Sequence, residues 1–245
     1  MPSLGSAQSF KGKHEGEKIV LVGSAPSLND IDLASVAGKF TTIGSNRILL
    51  KEGFRPTYLV LCDRTPYEIE RKSRRIHEYA ASGGIVLASS TIWDESIKSR
   101  GVGVCPEPDF DYYHWRVGVC STPINFTDLN KPLCSFGTII GPMIQMAAVF
   151  GAREIGVVGV DLMAPLTAKS IHFYSQEDSN EGRLATGVHR EDSASIASPR
   201  TIEVLRQARD VSQEYGFEIF NLSPVTDSPF SDVFGNTSIE DFVGG

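Results

Sequence analysis

Apolar and polar positions fall into blocks along the chain, and the blocks predict strands alternating with helices. Residues 19–22 are four apolar, mostly β-branched positions, which predict a buried strand. Gly23, Ser24, Ala25, Pro26 and Ser27 follow, small residues that let backbone approach a ligand closely. Asn29 or Asp30 then offers a cap for a short helix over 31–36. Similar apolar runs predict strands at 40–44, 58–62, 85–88, 101–105, 154–160 and 217–222. Helical spacing with glycine stops predicts helices at 47–53, 65–82, 139–150 and 199–215, with a shorter one at 93–100. Pro142 falls in the first turn of the apolar helix 139–150, and Ser198 and Pro199 open the next. Residues 106–131 read as irregular, and residues 162–198 as a long polar segment of the kind that forms lids.

Strands alternating with helices imply an α/β fold, a mainly parallel sheet with helices on both faces. In such a sheet the residues after each strand share one edge, where ligands bind. The predicted tips are Gly23 with Ser24, Ser45 with Asn46, Asp63, the run 89–91 of Ser-Ser-Thr, and Asp161. A strand, a small-residue turn and a helix N-terminus at 18–28 also suit a phosphate, whose charge the backbone N–H groups would face. The glycines of a dinucleotide fingerprint are missing, and the same pattern is also an ordinary βα turn.

Composition narrows the classes. The 245 residues, 41% of them apolar, fit one large α/β domain, here 18–225, with a loose polar leader at 1–17 and an acidic tail at 226–245. Net charge is −7 and basic tracts are short, which argues against nucleic acid as the main partner. Cys62, Cys105, Cys120 and Cys134 form no C-x-x-C pair, so buried thiols in a reducing cytoplasm are the reading. No apolar run approaches the ~20 residues of a membrane span. Arg71, Lys72, Arg74 and Arg75 crowd one helix, either as a solvated face or as an acceptor or membrane-surface contact. Tyr112, Tyr113, His114, Trp115 and Arg116 form a cluster that either stacks on a sugar or base or packs on the core. Residues 162–198 carry His172, Tyr174, His189 and Arg190.

Several segments occurring in order carry a resemblance. They are GSAPSL at 23–28, Ser45-Asn46-Arg47, Phe136-Gly137-Thr138, GAREIGVVGVD at 151–161, the His-bearing segment, and Asn221-Leu222-Ser223-Pro224. Over roughly 18–225 the chain resembles the bacterial sialyltransferases of glycosyltransferase family forty-two. It is also similar to the wider Rossmann-like set that includes the 6-hydroxymethylpterin diphosphokinases.

The sialyltransferase resemblance implies a CMP-activated sugar donor, a glycan acceptor, no metal or other cofactor, and an inverting direct displacement. It implies that Gly23, Ser24, Pro26 and Ser27 face the nucleotide, that Asn46 and Asp63 contact the donor, and that Ser135, Gly137 and Thr138 hold the sugar carboxylate. Asp161 and Tyr174 complete the expected donor set, and His189, with His172 as rival, is the expected base. The chain departs from the pattern where Asp63 replaces an asparagine, Phe136 a serine and Met163 a phosphate-binding tyrosine. Localisation at the cytoplasmic side, a peripheral membrane contact and self-association are compatible with this reading. Two alternatives stand beside it. One is a diphosphokinase-like enzyme using ATP, with Asp63 and Asp161 on Mg²⁺. The other is a non-catalytic nucleotide- or glycan-binding protein.

Overall fold

The strands are buried on both faces, and their side chains divide by the two-residue period of extended chain. In β2 (Lys18–Val22), Ile19 and Leu21 enter one core while Val20 and Val22 enter the other. In β4 (Tyr58–Leu61), Tyr58 and Val60 face the first core and Leu59 and Leu61 the second. The computed structural model describes residues 3–93, 106–119, 121–162, 172–174 and 198–244. Besides β2 and β4 its strands are β1 (Gly5–Ser6), β3 (Thr41–Ser45), β5 (Ile85–Ser89), β6 (Tyr113–Trp115), β7 (Glu154–Val158) and β8 (Glu218–Asn221). They form one eight-stranded sheet in the order β1-β6-β5-β4-β3-β2-β7-β8. Every pairing is parallel, with Val22 opposite both Gly44 and Val158. The expected Rossmann-like α/β fold is therefore the observed one. From β2 the chain adds strands in one direction as far as β6, then returns to place β7 on the other side of β2. The topological switch point lies between β2 and β7.

Helix α3 (Ile140–Phe150) is buried almost all round and packs on β2 and β7 in the first core. Helix α4 (Pro199–Glu214) joins it there, with Ser198 Oγ accepting the Thr201 N–H at 3.2 Å. The second core is covered by α1 (Arg64–Lys72) and α2 (Arg75–Ala81).

Several expected elements take other forms. The expected helices at 31–36 and 47–53 are 3-10 turns: Pro26–Asp30, Leu33–Ser35 and Ile48–Leu50. Asp32, not Asn29 or Asp30, caps the turn at Leu33 by accepting the Ala34 N–H. The expected helix over 65–82 breaks at Arg74, whose φ is 67°. The break has a cause: Arg75 must reach back to Glu70, and in an unbroken helix it would point about 140° away from it. Within the stretch expected to be irregular, β6 buries Trp115, whose indole N–H donates to the Leu87 carbonyl at 3.0 Å. Tyr112 is buried too and Tyr113 packs against the first core, so these three aromatics belong to the core, while His114 and Arg116 are exposed. The expected helix 93–100 past Trp93, the strand 101–105, and 163–171 and 175–197 of the expected lid lie outside the described residues.

The ends of the chain also pack. Residues 3–17, expected as a loose leader, supply β1 and bury Ala7, Phe10 and His14. Phe10 meets Tyr58, Tyr113 and Phe150 with ring centroids 4.7–5.7 Å apart. The expected acidic tail forms α5 (Pro229–Phe234) and α6 (Ile239–Gly244), and Phe242 joins Leu222 in the space left by Gly156. Among the described residues no helix is long and apolar enough to cross a membrane.

Candidate functional site

The switch point is closed by its own loops. Gly23 lies so near the 159–160 turn that a Cβ would stand 2.2 Å from the Gly159 carbonyl oxygen. Gly23 N–H donates to Val158 O and Ala25 N–H to Gly159 O, each at 2.9 Å. Ser27 N–H donates to Asp161 Oδ2 at 3.2 Å, and Leu28 N–H to Ala25 O at 3.1 Å. These four donors, expected to face a phosphate, serve the fold instead. Asp161 is buried at the end of β7. Besides the Ser27 N–H it takes the Ser27 hydroxyl at 2.5 Å and the Ser223 hydroxyl at 3.4 Å. Its carboxylate thus ties the Pro26-Ser27 turn to the strands on either side.

The segment 172–174 seats on this closed turn. Phe173 N–H donates to Ser24 O at 2.9 Å, and Asn29 Nδ2 donates to Phe173 O at 3.2 Å. Ser24 Oγ and His172 Nδ1 are 3.2 Å apart. The His172 and Tyr174 rings stack at 4.6 Å, and the Arg47 guanidinium lies over the other aromatic of that pair, Tyr174, at 4.9 Å. The structure therefore brings Ser24, His172 and Tyr174 together at the strand tips. His189 and Met163 lie outside the described residues.

Asn46 stands at the tip of β3 in the left-handed conformation, φ 46°. Its N–H continues the ladder to Val60 O, and its Nδ2 donates to Asp63 Oδ2 at 3.0 Å. Cys62 Sγ, 3.4 Å away, donates to the same oxygen. Burial first, and the Asp63 charge second, hold the Cys62 thiol well above its usual pKa, so it is no nucleophile at neutral pH. Asn46 Oδ1 is shielded from water and has no hydrogen-bond partner among the described residues.

Arg47 follows, and here the structure shows what sequence reasoning missed. Glu70, fully buried in α1, accepts from Arg47 Nε at 3.0 Å, Arg75 Nε at 2.6 Å and Arg75 Nη2 at 2.9 Å. Arg47 and Arg75 thus share one buried carboxylate behind the β3 tip. Of the three glutamates in that basic stretch, Glu68, Glu70 and Glu78, Glu70 falls beside the buried Ile69 and carried no signal of its own. The crowded cations are thus partly internal: Arg75 joins Glu70, while Lys72 approaches Glu68 at 3.8 Å.

Ser135, Gly137 and Thr138 form the turn that opens α3, at the same edge of the sheet. Ser135 Oγ accepts the Gly137 N–H at 3.3 Å, and Thr138 Oγ1 accepts the Ile140 N–H at 3.4 Å. Phe136, with φ 51°, is fully buried, and its ring fits against Gly141, where a Cβ would come within 2.6 Å. Phe136 is therefore the core anchor of this turn.

The fold is shared with a sialyltransferase. The sialyltransferase CstII from Campylobacter jejuni in complex with the substrate analogue CMP-3FNeuAc aligns with a TM-score of 0.55 at 13% identity, covering 92% of this chain and 88% of that one. The complex of CstII with cytidine-5'-monophosphate aligns at 0.53 and 14%, covering 93% and 87%. No protein-family model and no curated protein sequence matches the chain. At these identities the likeness is one of fold, and it extends over nearly the whole of both chains.

Proposed function

We propose that this protein is a glycosyltransferase of sialyltransferase type, moving a sugar from a CMP-activated donor to a glycan acceptor. The observation that carries the reading is Asn46. A shielded amide oxygen without a donor is unfavourable by about 1–3 kcal/mol, and a ligand N–H relieves that. The exocyclic amine of cytosine is such a donor. The shared fold with a protein solved with CMP and a CMP-sugar analogue supports the same assignment.

In this reading His172 is the base. Ser24 Oγ beside Nδ1 orients the ring, and the imidazole takes the acceptor hydroxyl's proton. The acceptor oxygen forms the new bond to the sugar carbon as the bond to the CMP oxygen breaks, and the electron pair leaves with the phosphate. Tyr174, with the Arg47 guanidinium 4.9 Å from its ring centre, supplies a phenol O–H for that growing charge. His189 is the second candidate for the base.

The diphosphokinase alternative requires Asp161 on Mg²⁺. That carboxylate already takes three hydrogen bonds from Ser27 and Ser223, which favours a structural role. Calorimetry decides between the readings. CMP binding without divalent ions, and transfer lost in His172→Ala, are expected. Magnesium-dependent ATP binding with no CMP binding overturns the assignment. CMP binding without turnover under any acceptor makes the protein a binder.

A further inference from the structure

The strand-tip edge has a second flank, on the first-core side, where a groove of about 540 Å³ lies between the chain after β6 and the first turns of α4. Its walls carry Ser121 and Thr122 on one side and Arg200, Glu203 and Gln207 on the other, with buried Val204 beneath. Arg200, Glu203 and Gln207 are spaced three and four apart and so share one helix face. Among the described residues, no hydrogen bond or ion pair engages the side chains of these three, nor the hydroxyls of Ser121 and Thr122. Both walls are stiffened by proline: Pro123 follows Thr122, and Pro199 opens the helix.

The groove has the size of a small-molecule site. Its chemistry selects among ligands. An apolar ligand would leave five polar side chains unpaired. A phosphate would meet Glu203 as well as Arg200. A saccharide presents hydroxyls that each donate and accept, and the groove offers both roles: donors on Arg200 and Gln207, acceptors on Glu203 and Gln207, and two hydroxyls that do either.

Location agrees. α4 runs back toward the start of β8, so its N-terminus stands at the strand-tip edge, as does the chain leaving β6. The segment 172–174 occupies the other flank, where Phe173 packs on the second core. We infer that the groove between residues 121–124 and α4 is the subsite for the acceptor saccharide, held by Arg200, Glu203 and Gln207. This rests on the glycosyl-transfer reading for its role, but its ligand class is argued from the groove alone.

The test uses the full chain, fluorescently labelled, on a printed glycan array with and without CMP, and calorimetry with CMP in parallel. The parent is expected to retain a subset of the glycans. The double variant R200A/Q207A should weaken that binding at least about tenfold. R206A, which removes a cation from an α4 position outside the groove, should leave it unchanged. Melting curves check that all variants fold, as these positions are exposed. Equal glycan binding by R200A/Q207A and parent overturns the assignment, and so does a parent that binds no glycan. Loss of CMP binding with glycan binding intact would instead refute the donor reading and leave the groove standing.

Discussion

Asn46 and Asp161 illustrate how two polar residues at neighbouring strand tips take different parts. Asp161 is saturated by donors from its own chain, so it acts on the fold. Ser27→Ala removes the short hydroxyl bond while the backbone bond persists, and it should lower stability by about 1–2 kcal/mol in urea titration. CMP affinity should change little. Asn46 retains an unpaired acceptor. Asn46→Ala should therefore weaken CMP binding about tenfold in calorimetry, a loss of ~1.4 kcal/mol. It should also lower the urea midpoint, because the bond to Asp63 is lost and alanine is strained at the left-handed φ of 46°. A variant that lost stability but kept CMP affinity would reverse these roles.

The helices on the second core show how local pattern and distant pairing divide the work. Strands β2, β4 and β5 were legible because each is an apolar run ending at small or polar residues, and α4 because Ser198, Pro199 and Gly216 mark its ends. The 3-10 turns were not: Ile31, Leu33 and Val36 are buried at spacings that helix also produces. The short strands β1 and β6 have too few residues to show a period. The site's cross-links were illegible for another reason. Asp161 meets Ser27 across 134 positions and Ser223 across 62, and nothing local announces such pairs. The same holds for Glu70, which fixes the α1–α2 break by joining Arg47 to Arg75. Glu70→Ala leaves Arg47 buried with its carboxylate partner gone. A loss of about 3–5 kcal/mol is expected in denaturant midpoints. Arg75→Ala, at a half-buried position and with Arg47 still paired, should cost clearly less.

The N-terminal segment and the sheet's starting edge are coupled in the molecule as a whole. His14 Nε2 and the Tyr58 hydroxyl are 2.8 Å apart, and His14 Nδ1 lies 2.8 Å from Glu17 Oε2. Thr41 Oγ1 is 3.2 Å from both partners of that second contact. Residues 3–17 are thereby pinned under β3 and β4, while Phe10 sits against the Tyr58 ring. Burial, and after it the Glu17 charge, push the Tyr58 pKa from 10.0 up to about 12. A raised pKa means the fold prefers the neutral phenol. The stability it contributes is complete below pH 10 and is lost as pH climbs through 12. Burial raises Tyr79 and Tyr112 too, so the parent should fall in stability over several residues' ionisation in that range. Tyr58→Phe removes one contributor. At neutral pH it should cost about 1 kcal/mol for the lost bond to His14. Between pH 10 and 12 its urea midpoint should fall less steeply than the parent's. Parallel curves would mean that Tyr58 ionises only after the N-terminal segment has already left the sheet.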